Sequence, residues 1–209
     1  MLQIIKTTKE LIDRLVINVI PFDTDDYIKF DNTNCTRFIA AEANLEFNDI
    51  SIKHNCVAAA TTKEFAIGEG KGVIIEMPGY YYFNDRFTTV APGIPGNLSY
   101  IDGCSNSNLI DPARNGEPCL NYLYFPKHID QTFHTHPSVR IGFILSGSGI
   151  AETPEGEIPL TAGDVFVLDR FCRHRFKTAD SHMSLIAFHP DSEDGPRDEQ
   201  NPMKTRTYL

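Results

Sequence analysis

Residues 131–149 read QTFHTHPSVRIGFILSGSG, and in this stretch one residue separates His134 from His136. In an extended strand, side chains two apart project to the same face. Both imidazoles would then point one way, at the separation that two ligands of one ion require. Imidazole is a good ligand for borderline divalent metals. Two nitrogens do not complete a site, so a third ligand must come from elsewhere in the chain.

The surrounding elements read as strands. Strand-like runs lie on either side of His136: LNYLYF (120–125) before it, and VRIGFIL (139–145), GIAET (149–153), DVFVLD (164–169) and MSLIAFH (183–189) after it. These are short, rich in β-branched and aromatic residues, and separated by Gly, Pro and Asp turns, the signature of an antiparallel sandwich or barrel. Upstream, KGVIIEM (71–77) and YYYF (81–84) have strand composition, the first ending at Pro78-Gly79. Thr7–Val16, with Leu11, Ile12 and Leu15 on one face, predicts a short amphipathic helix. The Gly-, Pro- and Asn-rich segment 91–119 predicts a junction. The chain therefore divides into an extension (1–100) packing on or extending the barrel, a core (101–190) and a polar tail (191–209).

Composition narrows the partners. The 209 residues are 41% hydrophobic and 22% charged, with a net charge of −9. A negative surface repels phosphate backbones and anionic lipid, so neither a nucleic acid nor a membrane is expected as partner. No apolar run reaches the roughly 20 residues of a membrane span. Cys35, Cys56, Cys104, Cys119 and Cys172 are odd in number with no CxxC, which fits reduced thiols and a cytoplasmic location.

Two segments together resemble the cupin superfamily, whose first motif is G(X)5HXH(X)3–4E(X)6G and whose second is G(X)5PXG(X)2H(X)3N. His134-Thr135-His136 fills HXH, Gly147 is the closing glycine of the first motif, and Gly163-Asp164 followed by His174 matches the second. The resemblance covers roughly 115–190. It implies an all-β fold, a cupin double-stranded β-helix (jelly-roll) barrel with an N-terminal helix and strand extension, and a metal held by His134, His136 and His174. It also implies a homodimer.

The departures are informative. His128 stands at the first motif's opening glycine, Thr178 at the second motif's closing Asn, and Arg140 at the glutamate that usually completes the metal site. A guanidinium within about 6 Å of a dication is repelled by several kcal/mol at an effective dielectric near 20. Arg140 must therefore either pair with a carboxylate, such as Glu152 or Asp169, or clamp the carboxylate of an anionic substrate.

Glutamate-less cupins include thiol, diketone and aromatic-ring dioxygenases, so the resemblance implies a non-haem Fe(II) dioxygenase acting on a small, anionic organic molecule. Zn, Ni or Mn would bind the same imidazoles. The alternatives are a metal-dependent isomerase or lyase of a carbonyl or sugar-type substrate, and a non-catalytic small-molecule binder. Among the remaining residues, His128 reads as a solvated rim group and His189 as a backbone-bonded histidine or an acid–base. His182 is a further candidate. Tyr122 and Tyr124 share a face, Cys172 sits two residues before His174, and Phe133, Phe143, Ile144, Phe166 and Phe176 read as core.

Overall fold

The structure is a computed structural model that describes residues 1–192 apart from 13–14, 26–27, 31–34, 48–49, 53–54, 61–64, 81–84, 113 and 115. The YYYF segment and the tail beyond Ser192 lie outside the described residues. In chain order the strands are β1 (Leu2–Ile4), β2 (Lys9–Ile12), β3 (Val16–Thr24), β4 (Ile28–Phe30), β5 (Cys35–Phe47), β6 (Ile50–Ile52), β7 (Cys56–Ala60), β8 (Phe65–Pro78), β9 (Arg86–Thr89), β10 (Leu98–Ser99), β11 (Ser105–Ile110), β12 (Cys119–Phe125), β13 (Arg140–Thr153), β14 (Gly156–Thr161), β15 (Val165–Leu168), β16 (Arg175–Lys177) and β17 (Met183–His189). A single 3₁₀ turn spans Ile101–Gly103, and no α-helix occurs among the described residues. None of them forms a helix long and apolar enough to cross a membrane.

The helix expected over Thr7–Val16 does not form. β2 and β3 pair instead as an antiparallel ladder, from Lys9↔Val19 to Ile12↔Val16. Leu11 turns inward, whereas Ile12 is 80% and Leu15 44% exposed, so the apolar face that a helix would have buried is split. The β-branched residues Val16, Ile17, Val19 and Ile20 supply the partner strand and outweigh a weak helical spacing.

The chain forms two compact units, Ile5–Ala91 and Met1–Ile4 together with Pro92 onward. In the first, the sheet order is β2-β3-β8-β5-β7-β9, with β4 on β8 and β6 on β5. Its core centres on Ile39, Ala41, Ala43, Leu45, Ile67 and Ile74. KGVIIEM lies in β8, as its composition indicates, and pairs with β5 along most of its length.

In the second unit the order is β1-β15-β13-β17-β12-β11-β10, with β14 and β16 also paired to β13. VRIGFIL and GIAET are not two strands but one, β13. Its first half lies between β15 and β17, and its second half pairs with β14 and β16. A register shift between Ile144 and Ser146 lets this strand pass from one half of the barrel to the other. Gly147 at that corner has φ 74, and a Cβ there would lie 1.9 Å from the His182 carbonyl oxygen, so only glycine fits. Leu123, Phe125, Ile144, Phe166, Phe176 and Leu185 belong to the interior cluster.

Candidate metal centre

Two loops deliver the histidines, one leading into β13 and one into β16. His134 and His174 form a one-residue antiparallel bridge, each N–H donating to the other's carbonyl at 2.9 and 3.0 Å. Next to it the Gln131 N–H donates to the Phe176 carbonyl at 3.1 Å, and the Phe176 N–H returns a bond to Gln131 Oε1 at 3.2 Å. Asp102 Oδ2 accepts the Thr132 N–H at 2.7 Å. The HXH segment is therefore not a regular strand, as its spacing suggested, but a loop stitched to its neighbour. Pro137 biases His136 toward extended backbone, and the Phe171 N–H donates to the His136 carbonyl at 2.7 Å.

The three rings converge. Their centroids lie 4.4 Å (His134–His174), 5.1 Å (His134–His136) and 5.2 Å (His136–His174) apart. One nitrogen from each lies within 4.8 Å of the others, and all three residues are buried. His134 Nδ1 is 2.9 Å from the Thr132 carbonyl, and His174 Nδ1 is 2.9 Å from the Cys172 carbonyl. A carbonyl only accepts, so both Nδ1 atoms carry the proton and each Nε2 keeps its lone pair. Burial, with repulsion from His134 whenever both rings are protonated, pushes the His174 pKa down to about 3. Burial and Arg140 hold His136 well below the ordinary imidazole range. Both rings are neutral at physiological pH, the form that binds a metal.

These residues fit a divalent ion. His174 Nε2 and His136 Nδ1 are buried and have no hydrogen-bond partner among the described residues, and an orphaned buried acceptor costs free energy unless something coordinates it. Imidazole–metal bonds of about 2.1 Å place cis nitrogens about 3 to 3.5 Å apart, so small ring rotations close the set onto one ion. The backbone carbonyls on two Nδ1 atoms supply the outer bonds that usually fix ligating histidines.

Around them lies a cavity of about 30 Å³, room for an ion with a water or two. Phe125, Phe166, Phe176 and Leu185 make one wall apolar, while Tyr100, Gln131, Arg140 and His189 bring polar groups. Tyr100 and Gln131 carried no spacing signal in the sequence. Burial raises the Tyr100 phenol to about 12, so it stays protonated.

Arg140 is buried, and its Nη1 donates to Ser138 Oγ and, at 2.9 Å, to the Val139 carbonyl. Its carboxylate neighbour is neither of those expected from sequence. Glu152 pairs with Arg175 at 2.8 Å and with Lys177, and Asp169 sits 3.4 Å from the Met1 ammonium. Asp191 instead lies 3.7 Å from Arg140 Nη2.

The other candidates fall into place by burial. His128, 72% exposed, faces solvent near Asp180. His182 stacks on Tyr124, and its Nε2 is 3.0 Å from Ser146 Oγ, away from the cavity. Tyr122 donates to the Ile94 carbonyl at 2.9 Å. Cys172 is a core thiol. Phe133 is not core as its type suggested, since the guanidinium groups of Arg173 and Arg175 cover its ring at 4.8 and 4.6 Å. Counting the second motif back from His174 places its inner glycine at Phe171, which holds φ 58 in the left-handed region.

Antiparallel strands around three converging buried histidines are the arrangement that the cupin resemblance implied. Residues 122–189 match the family model described as the cupin domain, and the C-terminal unit is a cupin barrel of the three-histidine, glutamate-less form. No curated protein matches the sequence. Three proteins are among the solved structures with similar folds. One is a cupin 2 conserved barrel domain protein from Leptotrichia buccalis (13% identity, 89% of this chain and 88% of that one, TM-score 0.60). Another is a glyoxylate-induced protein from Pseudomonas aeruginosa (12%, 96% and 82%, 0.62). The third is a salicylate 1,2-dioxygenase from Pseudaminobacter salicylatoxidans (8%, 88% and 76%, 0.56). At these identities the likeness is one of fold.

Proposed function

We propose that this protein is a metal-dependent oxygenase in which His134, His136 and His174 hold a divalent ion, Fe(II) first, and Arg140 orients a small anionic organic substrate. One observation carries the reading: three buried imidazoles converge, two of them with Nδ1 committed to backbone carbonyls so that the Nε2 atoms are left for an ion. Iron, when bound, supplies a site at which dioxygen and a chelating substrate can react side by side. The chain's part is positioning. Three ligands and no carboxylate leave open coordination positions and an uncompensated positive charge, and Arg140 adds to that charge, which favours an anion. Phe125, Phe166 and Phe176 keep bulk water out. The Tyr100 phenol remains a proton donor to a developing negative charge. The fold likeness to a salicylate dioxygenase accords with this reading.

The test is elemental analysis of protein purified without added metal, followed by oxygen uptake with a panel of hydroxy, oxo and thiol acids. About one iron per chain and uptake matched to product are expected, and His174→Ala should lower metal affinity by about tenfold or more. Turnover without oxygen uptake would transfer the reading to a Lewis-acid isomerase or lyase. A chain that takes up no metal would end it.

A further inference from the structure

β17 turns alternate side chains toward the cavity: Leu185, Ala187 and His189 line it, while Ile186 and Phe188 between them belong to the opposite face. The strand is paired on both sides, with β12 through Cys119↔His189 and with β13 through Ile141↔Phe188. The ladder therefore sets the backbone from which the His189 ring enters the cavity. Ala187, the residue before it on that face, is the smallest side chain of the lining. His189 Nε2 is buried and has no hydrogen-bond partner among the described residues. The metal ligands do not account for it, because His189 stands outside the set of His134, His136 and His174 whose nitrogens converge. A buried polar atom without a partner is costly, so one that faces a cavity calls for something that arrives to bond it. Burial and the neighbouring Arg140 charge hold the ring well below the ordinary imidazole range, and it stays uncharged.

We propose that His189 is a ligand-contacting residue, whose Nε2 bonds a hydroxyl that the substrate carries beyond the atoms that reach the ion. A hydroxyl both donates and accepts, so it satisfies Nε2 whichever ring nitrogen holds the proton. An uncharged ring offers no ion pair to a carboxylate, which leaves this part of the wall to a neutral polar group. The cavity of about 30 Å³ keeps the hydroxyl within a carbon or two of the metal-binding group. The substrate class narrows accordingly, from small acids in general to compact hydroxylated ones. This deepens the oxygenase reading and rests on it for the ion.

Zinc-loaded protein, which holds an ion without consuming oxygen, is titrated in a calorimeter with glycolohydroxamate and propionohydroxamate. Both offer the ion the same bidentate group, and they differ only in a hydroxyl against a methyl at the far end. Glycolohydroxamate should bind about tenfold tighter, since the methyl leaves Nε2 unpaired. That preference should vanish in His189→Leu and survive in His189→Gln, whose amide brings both a donor and an acceptor. The readout is the ratio of two affinities, which a general loosening of the barrel does not imitate. In the wild-type chain, nitrogen NMR of labelled histidine should show the His189 Nε2 resonance moving with glycolohydroxamate and not with propionohydroxamate, a measurement that needs no variant to fold. Equal binding by the wild type, a preference kept in His189→Leu, or one lost as fully in His189→Gln would each overturn the proposal. So would the same Nε2 shift with both ligands, which would assign that nitrogen to a cavity water. Zinc retained with both hydroxamates bound equally sinks the His189 assignment and leaves the ion in place. Failure to retain zinc, with neither hydroxamate bound, ends both.

Discussion

Phe171 shows how one residue's backbone serves the site. Its φ of 58 is a region that costs a residue with a Cβ about 1–2 kcal/mol, and it stands where the cupin pattern has glycine. That conformation aims its N–H at the His136 carbonyl, 2.7 Å away, while its own side chain is 54% exposed. Strain is thus spent on holding a ligand segment, with little burial gained in return. Phe171→Gly removes the strain and Phe171→Ala does not. Urea denaturation should therefore find the glycine variant more stable than the alanine variant by about 1 kcal/mol; equal midpoints would show that the loop relaxes. At this scale the sequence was legible where spacing carries meaning. His134, His136 and His174 sit in a recurring pattern, and the same pattern located Arg140. Tyr100, Gln131 and His189 reach the same cavity from segments with no fixed offset to those histidines, and only the fold of the barrel brings them there.

Among elements, β13 carries most of the architecture, and its reading from sequence was half right. The apolar runs 139–145 and 149–153 were visible, but Gly147 and Gly149 between them look like a turn and are in fact a corner within one strand. Local composition cannot separate the two, because both need glycine; what decides is whether partners exist on each side. The N-terminal helix failed for a related reason, since its periodicity was local and its ladder partner was not. On the second half of β13, Glu152 opposes Arg175 of β16, bonding its Nε at 2.8 Å, and also meets Lys177, which reaches on to Glu157 at 3.0 Å. The Arg175 and Lys177 hydrogen bonds hold the Glu152 carboxyl below its ordinary pKa of 4.5. A depressed folded-state pKa means stability that is fully present above the unfolded value and lost as pH falls through the folded one. The network therefore contributes at neutral pH and fades below about pH 4.5. Glu152→Gln should flatten the acid limb of the stability curve, most visibly below pH 4.5, while altering the slope near pH 7 little. An unchanged acid limb, followed by circular dichroism, would mean the cluster is too well solvated to matter.

For the whole molecule, the question is where an ion's binding energy goes. The only cluster of histidine, cysteine or carboxylate ligands among the described residues lies in the cupin unit, and its members come from two loops that the barrel must close to bring together. Binding to the folded form alone adds RT ln(1 + [M]/Kd), about 2.7 kcal/mol at a free ion concentration one hundred times Kd. It also removes the cost of leaving His174 Nε2 and His136 Nδ1 without partners. Both contributions belong to β12–β17 and the loops before β13 and β16. The unit from Ile5 to Ala91, built on the long β5–β8 ladder around Ile39, Ala41 and Ile74, has no ligand cluster among its described residues through which to gain either. Removing the ion with a chelator should then speed amide exchange at His134 and His174, whose N–H groups form the bridge, and in β13 and β17, by a factor that approaches one hundredfold where exchange requires opening of the barrel. Exchange in β5 and β8 should stay the same. Equal acceleration in both units would show instead that the ion's energy is spread through the entire chain and that the two units open as one.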